Sequence, residues 1–326
     1  MLQKAKRAKE TRGWRQPISF GPSPFPPQWP GHQVGDSIPG SLRAPQPWKI
    51  VHSIRFSTSG TYLEGLLPTA SFSFALPDTV VQASWICTSF RNLPWLSGLG
   101  YDRVELYIHG IQYTSSSGEV FPGTFVPVIF ENLTDATVFA RDERGAPVLG
   151  CDIETLDGGN FKITSLSWHG TTFGRLHWTG LSEDKPRDAQ GSNGLQCEIL
   201  PKQSPDLGLL TYRYVPAVGR PGKSDAEYAV FEPFEEIALP CRTNGAVNGN
   251  TPDHGNPKSH VQPPGSPGKQ HTHQASFHFT AGDDQRIPTL HHIIKVLQDL
   301  PNYGVLEAKV EIIQGGDGFS QARRID

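Results

Sequence analysis

From Trp48 to about Gly180 the chain breaks into short apolar, β-branched or aromatic runs, each ended by Gly, Pro, Asn or Asp. Such runs lie at 80–81, 104–113, 124–130, 136–140, 161–168 and 172–178. Segments this short, spaced this way, specify antiparallel strands and hairpins in a barrel or sandwich in preference to alternating βαβ units. The fold class is therefore expected to be mainly β. One late stretch follows a different period. Leu290, Ile293, Ile294, Leu297 and Leu300 fall on one helical face. Pro288 suits a helix start and Pro301 forces its end, so the spacing predicts a helix over 289–300.

Composition bounds the rest. The 326 residues suffice for one large domain or two ordinary ones. With 19% charged residues and a formal net charge of -3, the chain lacks the basic surplus that displaces counterions from nucleic acid, so no nucleic-acid partner is expected. Residues 1–47 are rich in Pro, Gly and charge, with scattered aromatics such as Trp14, Phe25 and Trp29, and read as a disordered or surface-laid arm. The first fifteen residues are basic (Lys4, Lys6, Arg7, Lys9, Arg12, Arg15) without an apolar run, unlike a secretory signal or a membrane span. Residues 48–326 form the expected barrel domain. It is interrupted by a polar loop at 182–194 and a longer insertion at 243–274 that has too few large apolar residues to order itself. His254, His260, His271 and His273 lie in that insertion, but no Cys or carboxylate pattern accompanies them, so no metal is expected. Cys87, Cys151, Cys197 and Cys241 show no CxxC pair and read as reduced thiols, with the cytoplasm as the expected compartment. No Walker loop, dinucleotide fingerprint or HExxH motif is present, and no cofactor is expected.

The stretch Ala140-Arg141-Asp142-Glu143-Arg144-Gly145-Ala146-Pro147-Val148-Leu149-Gly150 resembles the active-site turn of the acetoacetate decarboxylase family. In that family the turn reads Gly-Arg-Glu, four further residues, Pro and two lysines, the first of which forms a Schiff base. Arg141, Asp142 and Pro147 stand at matching places, while Val148 and Leu149 occupy the lysine positions. Other segments resemble the family in the same order. They are Leu63-Glu64-Gly65-Leu66-Leu67-Pro68; Gly100-Tyr101 leading, after a longer interval than usual, into Glu105; and 124–132, where Glu131 replaces the family acid. Tyr212-Arg213-Tyr214-Val215-Pro216 follows, and then Arg286-Ile287-Pro288 with the helix and 310–313. The likeness covers about residues 48 to 313. It implies a closed, largely antiparallel β-barrel with few helices, assembled as a homo-oligomer, around a small-molecule pocket.

The resemblance also proposes site residues. Glu105 and Arg141 become the catalytic candidates. Lys49 stands near a family arginine that binds the substrate carboxylate, and Val128, Asp142, Ala146, Pro147 and Val148 become candidate pocket residues. The alternatives differ residue by residue. Arg141 and Asp142 either position substrate or hold the turn through an ion pair and backbone hydrogen bonds. Glu105 faces either the interior or solvent, and a buried carboxylate needs a partner. Lys162 lies opposite its apolar neighbours Phe161 and Ile163 on a strand, so it faces solvent or the interior, and solvent is expected. His109, His169 and His177 can titrate near neutrality, and the sequence does not choose among them.

In the family the lysine amine is activated by a lowered pKa, of which acetoacetate decarboxylase itself is the standard instance. Without that amine, the resemblance implies a divergent enzyme acting on a β-keto or polyketide-derived acid in secondary metabolism, as in fungal natural-product relatives. The alternatives are a non-decarboxylating dehydratase, aldol-type enzyme or cyclase, or a non-catalytic small-molecule-binding protein.

Overall fold

The computed structural model describes residues 46–96, 98–183, 208–234, 269–272, 274–315 and 322–325. The N-terminal arm, most of the 182–194 loop, nearly all of the 243–274 insertion, Cys197 and Cys241 lie outside the described residues.

The chain starts with β1 (Trp48–Ser59), the short helix α1 (Gly60–Glu64) and β2 (Phe72–Phe74). Next come β3 (Val80–Arg91), β4 (Tyr101–Thr114), β5 (Val120–Glu131), helix α2 (Thr134–Asp142) and β6 (Val148–Gly150). Strands β7 (Asp152–Asp157), β8 (Phe161–Trp168), β9 (Thr171–Thr179) and β10 (Ser182–Glu183) follow. The remainder comprises β11 (Gly208–Pro216), β12 (Ser224–Pro233), β13 (Lys269–Thr272), β14 (Gln274–Phe279), α3 (His291–Asp299), β15 (Gly304–Gln314) and β16 (Arg323–Ile325).

These strands form a 12-stranded sheet, running β10-β13-β15-β1-β3-β4-β5-β11-β12-β16 with β2 on β4 and β6 on β5, and a separate 4-stranded sheet, β14-β9-β8-β7. The fold is mainly β with few helices, as expected. The large sheet has two ends, β10 and β16, so among the described residues its hydrogen bonding draws an open path and not the closed ring of the sequence reading. Nor is it purely antiparallel, because β5 pairs in parallel with both β6 and β11.

Period two divides the central strands between two buried layers. On β4, Val104, Leu106 and Ile108 join the main core with Trp85, Phe130 and Trp178, while Tyr107 belongs to a second cluster with Val51, Ile129, Ala140 and Val148. The small sheet covers the first face. Phe277 and Phe279 of β14 lie 4.6 and 4.7 Å, ring to ring, from Phe56 and Trp85. Trp178 Nε1 donates to the Ser53 carbonyl at 3.1 Å and so ties β9 to β1. Helix α3 closes the same layer with Leu290, Ile294, Leu297 and Leu300, all buried, and Ile293 packed beside them. Burial of such side chains stabilises by roughly 1.5–3 kcal/mol each. The tyrosine hydroxyl of Tyr62 donates to Val296 O at 2.7 Å, pinning α1 to α3.

Two local expectations need correction. Residues 136–140 are helical, inside α2, and not a strand. Asp135 stands in the first turn of α2, where a carboxylate favours the helix dipole, and Ala136, Phe139 and Ala140 form its buried stripe. Helix α3 begins at His291, later than the predicted 289, because Leu290 serves as its N-cap. No helix of the described residues is long and apolar enough to cross a membrane.

Candidate active site in the second layer

The second layer carries charge where the first carries hydrocarbon. Arg103, Glu105 and Glu131 are 7%, 4% and 1% exposed. Their strands bring them together, since Arg103 is the register partner of Glu131 and Glu105 that of Ile129. Arg103 Nε donates to Glu131 Oε1 at 2.9 Å, its Nη1 lies 3.7 Å from Glu105 Oε1, and its Nη2 donates to the Tyr101 hydroxyl at 2.8 Å. The guanidinium also sits 5.0 Å from the Phe90 ring centroid and 5.7 Å from that of Tyr101. One cation thus offsets two carboxylates whose burial would otherwise cost several kcal/mol each. The Tyr107 hydroxyl donates to Glu105 Oε2 at 3.2 Å. Burial first, and then the negative charge of Glu105, hold that hydroxyl well above the ordinary tyrosine range, so it stays a donor at neutral pH.

The turn after α2 forms the facing wall. Ala146 N donates to Ala140 O at 3.0 Å, and Ile129 N donates to Pro147 O at 3.1 Å. These bonds fold the turn back on β5 and start the parallel β5–β6 ladder, in which Val148 partners Ile129. Glu105, Ile129 and Val148 therefore lie in one row across three strands. Gly145, in the turn, has φ 65°, and a Cβ there would stand 2.9 Å from Val230 Cγ2. Arg144, one residue earlier, places Nη2 at 2.6 and 2.8 Å from the two carboxylate oxygens of Glu232 on β12. Arg103, Glu105, Arg144, Ala146, Thr211 and Glu232 contribute to the lining of a cleft of about 20 Å³, room for roughly one water. Two guanidiniums and three carboxylates, counting Glu131 behind Arg103, meet at or beside it.

The residues chosen from sequence scatter about this cleft. Glu105 faces inward and lines it, as does Ala146. Val148 is fully buried in the adjoining apolar cluster, with Pro147 half-buried beside it. Arg141 does not line the cleft. It is exposed, and its Nη1 donates to Val148 O at 2.9 Å, clipping the turn from outside. Asp142 is exposed too and accepts from Arg213 Nη2 at 3.2 Å. Val128 points the other way, into the main core with its partner Leu106, because the register sets Ile129 opposite Glu105. Lys49 partners Phe90, itself the partner of Tyr101; Glu105 lies four residues beyond Tyr101, about 13 Å along the strand. Arg103, Arg144, Tyr107 and Glu232 were not singled out in the sequence, and Glu131 only as the replacement for a family acid. The signal present there was charge at Arg103, Glu105 and Glu131 inside otherwise apolar strands, which alternation assigns to solvent. Lys309 and Glu311 on β15 repeat the lesson, at 3% and 4% exposure.

A second buried polar cluster sits between the sheets. Lys162 is 7% exposed, which corrects the expected solvent orientation: Lys162, Thr164 and Leu166 form the buried face of β8. Its amine pairs with the Asp157 carboxylate. His52 is 2% exposed, its ring lies 5.4 Å from that of Trp178, and neither ring nitrogen has a hydrogen-bond partner among the described residues. Burial, then the charge of Lys162, lower its pKa to about 4. Cys87, the register partner of His52, is a free thiol whose pKa burial pushes up, which makes it a poor nucleophile. His109 bridges Ser84 and Thr124 at 2.7 and 3.2 Å, while His169 holds a positive φ of 46° in the β8–β9 turn. Among the described residues, no group of three or more His, Cys, Asp or Glu side chains could hold a metal ion.

No family model matches the chain, and no curated protein matches it. Solved structures do. The chain is similar to an acetoacetate decarboxylase from Legionella pneumophila subsp. pneumophila str. Philadelphia 1, with TM-score 0.50 and 12% identity over 89% of this chain and 93% of that one. It is also similar to an acetoacetate decarboxylase-like enzyme from Sphingomonas wittichii RW1, with TM-score 0.47 and 14% identity over 90% and 99%. A third is the enduracididine biosynthesis enzyme MppR complexed with pyruvate, with TM-score 0.48 and 12% identity over 90% and 98%. At such identities the Legionella likeness shows a shared fold.

Proposed function

We propose that the chain is an acetoacetate decarboxylase-like enzyme acting on a β-keto or polyketide-derived acid without a Schiff-base lysine. One observation carries this reading. The row Glu105, Ile129, Val148 ends, beside a cleft lined by two guanidiniums, at the residue that the sequence resemblance assigns to the lysine. A β-keto acid does not require an amine, because its own ketone accepts the electron pair. The bond between the α-carbon and the carboxylate breaks, carbon dioxide leaves, and the pair moves onto the ketone oxygen as an enolate. A proton then returns to the α-carbon, so the net reaction consumes one proton and releases a ketone. In this scheme the substrate enters when the cleft, water-sized as it stands, opens at the Arg144–Glu232 pair, and the positive charge of Arg103 stabilises the enolate in a water-poor site. Glu105, oriented by the Tyr107 hydroxyl, handles the proton. The reading places the protein in the cytoplasm and in secondary metabolism, with no cofactor.

The test is carbon dioxide release from a panel of β-keto acids by the purified chain and by Glu105→Gln. We expect the substitution to lower turnover by roughly 10²–10⁴-fold, the usual contribution of a general acid–base group. Failure of the wild-type chain to release carbon dioxide from any member would sink the proposal. Borohydride reduction in the presence of substrate should trap no lysine, and labelling of Lys162 or Lys309 would restore the amine mechanism at a new position. The Glu105–Tyr107 contact also favours a second reading, a proton-transfer reaction such as dehydration or cyclisation. Product mass separates the two, since decarboxylation alone removes the mass of carbon dioxide.

A further inference from the structure

The two guanidiniums at the cleft are held very differently. Arg103 is locked among Glu131, Glu105 and the Tyr101 hydroxyl, with Phe90 against its face. Arg144 instead holds both oxygens of Glu232 from one nitrogen. The two residues are 88 positions apart in sequence, so no local turn geometry requires this contact. The side chains are 13% and 23% exposed, the carboxylate being the nearer to water. Glu232 also stands at the penultimate position of β12, with Pro233 unable to donate to a ladder beyond it. Of the two side chains, the carboxylate at the end of β12 is thus the one with the shorter way to water.

We propose that Arg144 is the anion-binding residue of the cleft and that Glu232 is an internal carboxylate which the substrate's own carboxylate replaces. The inference rests on the keto-acid reading for the class of ligand. A carboxylate held on a guanidinium by charge-assisted hydrogen bonds is the arrangement that recognises carboxylic acids. An acid substrate exchanges one such pair for another, while a neutral ester offers only part of what it displaces. Glu232 thus sets a threshold that favours acids and lowers the apparent affinity for all ligands, since the competent state is populated only when it swings out.

The experiment measures calorimetric binding of acetoacetate and methyl acetoacetate to the full chain and to Glu232→Gln, Arg144→Lys and Arg144→Gln, each checked for folding by circular dichroism. Glu232→Gln should bind acetoacetate about tenfold more tightly, because the internal competitor has lost its charge, and should strengthen the weaker binding of the ester by a similar factor. Arg144→Gln should lose acetoacetate binding, and Arg144→Lys should keep a weakened form of it. Unchanged or weaker acid binding in Glu232→Gln overturns the exchange, and unchanged binding in both Arg144 variants overturns the anion site. If the wild-type chain binds no keto acid, propionate titrated into Glu232→Gln decides the point. Binding there that Arg144→Gln abolishes upholds the site while the keto-acid reading fails, and no binding overturns both.

Discussion

The large sheet buries polar groups on both of its faces, and the two burials differ in kind. On one face Arg103 sits between Glu105 and Glu131 with its remaining donors on a tyrosine oxygen, beside a cleft. On the other, buried Lys162 reaches out to the exposed carboxylate of Asp157, and the His52 ring has no hydrogen-bond partner among the described residues. The first region solves the cost of burial with matched charges. The second does so by keeping the imidazole neutral. Buried charge points to a site where it is both compensated and next to open volume; without the volume it sets a pH limit on stability.

The sharpest way to break this contrast is to remove the matched charge. Arg103→Leu leaves Glu105 and Glu131 without their shared cation, and urea unfolding at pH 7 should show a loss of about 3–5 kcal/mol. A loss below about 1 kcal/mol would mean that the network is not what permits the burial.

The inter-sheet cluster answers to pH. The folded His52 titrates at about 4, below the unfolded value of 6.5. The unfolded chain therefore takes up the proton first, and the contribution is intact above pH 6.5 and lost as pH falls toward 4. The total is about 3 kcal/mol. Besides Lys162 and Asp157, the groups acting on His52 are Asp102 and Arg91, with Cys87 opposite it on β3. Unfolding followed from pH 7 to pH 4 should show this slope in the wild type and lose it in His52→Leu. Lys162→Met removes a cation that lowers the His52 pKa, so the slope should become shallower while stability at pH 7 changes little. An unchanged slope in both variants would place the acid sensitivity elsewhere.

The smallest effect belongs to Arg141. Its single bond to Val148 O lies at an exposed side chain, so Arg141→Ala should cost about 1 kcal/mol. Its carbon dioxide release should stay within a few-fold of wild type, whereas Arg144→Gln should lose it. A reversal of that order would return the catalytic role to the residue selected by the motif.

Legibility in the sequence followed the length scale of the cause. Helix α3 was visible because five apolar residues at a period of 3.6 lie between two prolines. The strands were visible because turn residues punctuate them. Residues 136–140 read as a strand because Thr137 and Val138 favour one locally, while the helix depends on the burial of Phe139 and on Ala140 finding the second layer. Glu105 was reachable from sequence, but its orientation was not, since alternation on β4 looks the same whether the polar face meets water or another layer. Arg144 stood inside the quoted turn and was passed over for Arg141. The choice between them depends on where α2 stops and on β12, which is distant in sequence. The open path that the large sheet traces among the described residues is likewise a matter of pairings, which composition does not encode.

Gly145 gives the cleft a practical handle. Its backbone is left-handed and a Cβ there would stand 2.9 Å from Val230 Cγ2, so position 145 has to stay glycine while its neighbours can change. A library that varies Val230 and Thr211 while holding Gly145 constant would explore cleft volume without breaking the turn. One that randomises position 145 would consist mostly of chains with a strained turn and a side chain crowded against Val230. For anyone reshaping substrate scope, the position to leave alone carries no side chain at all.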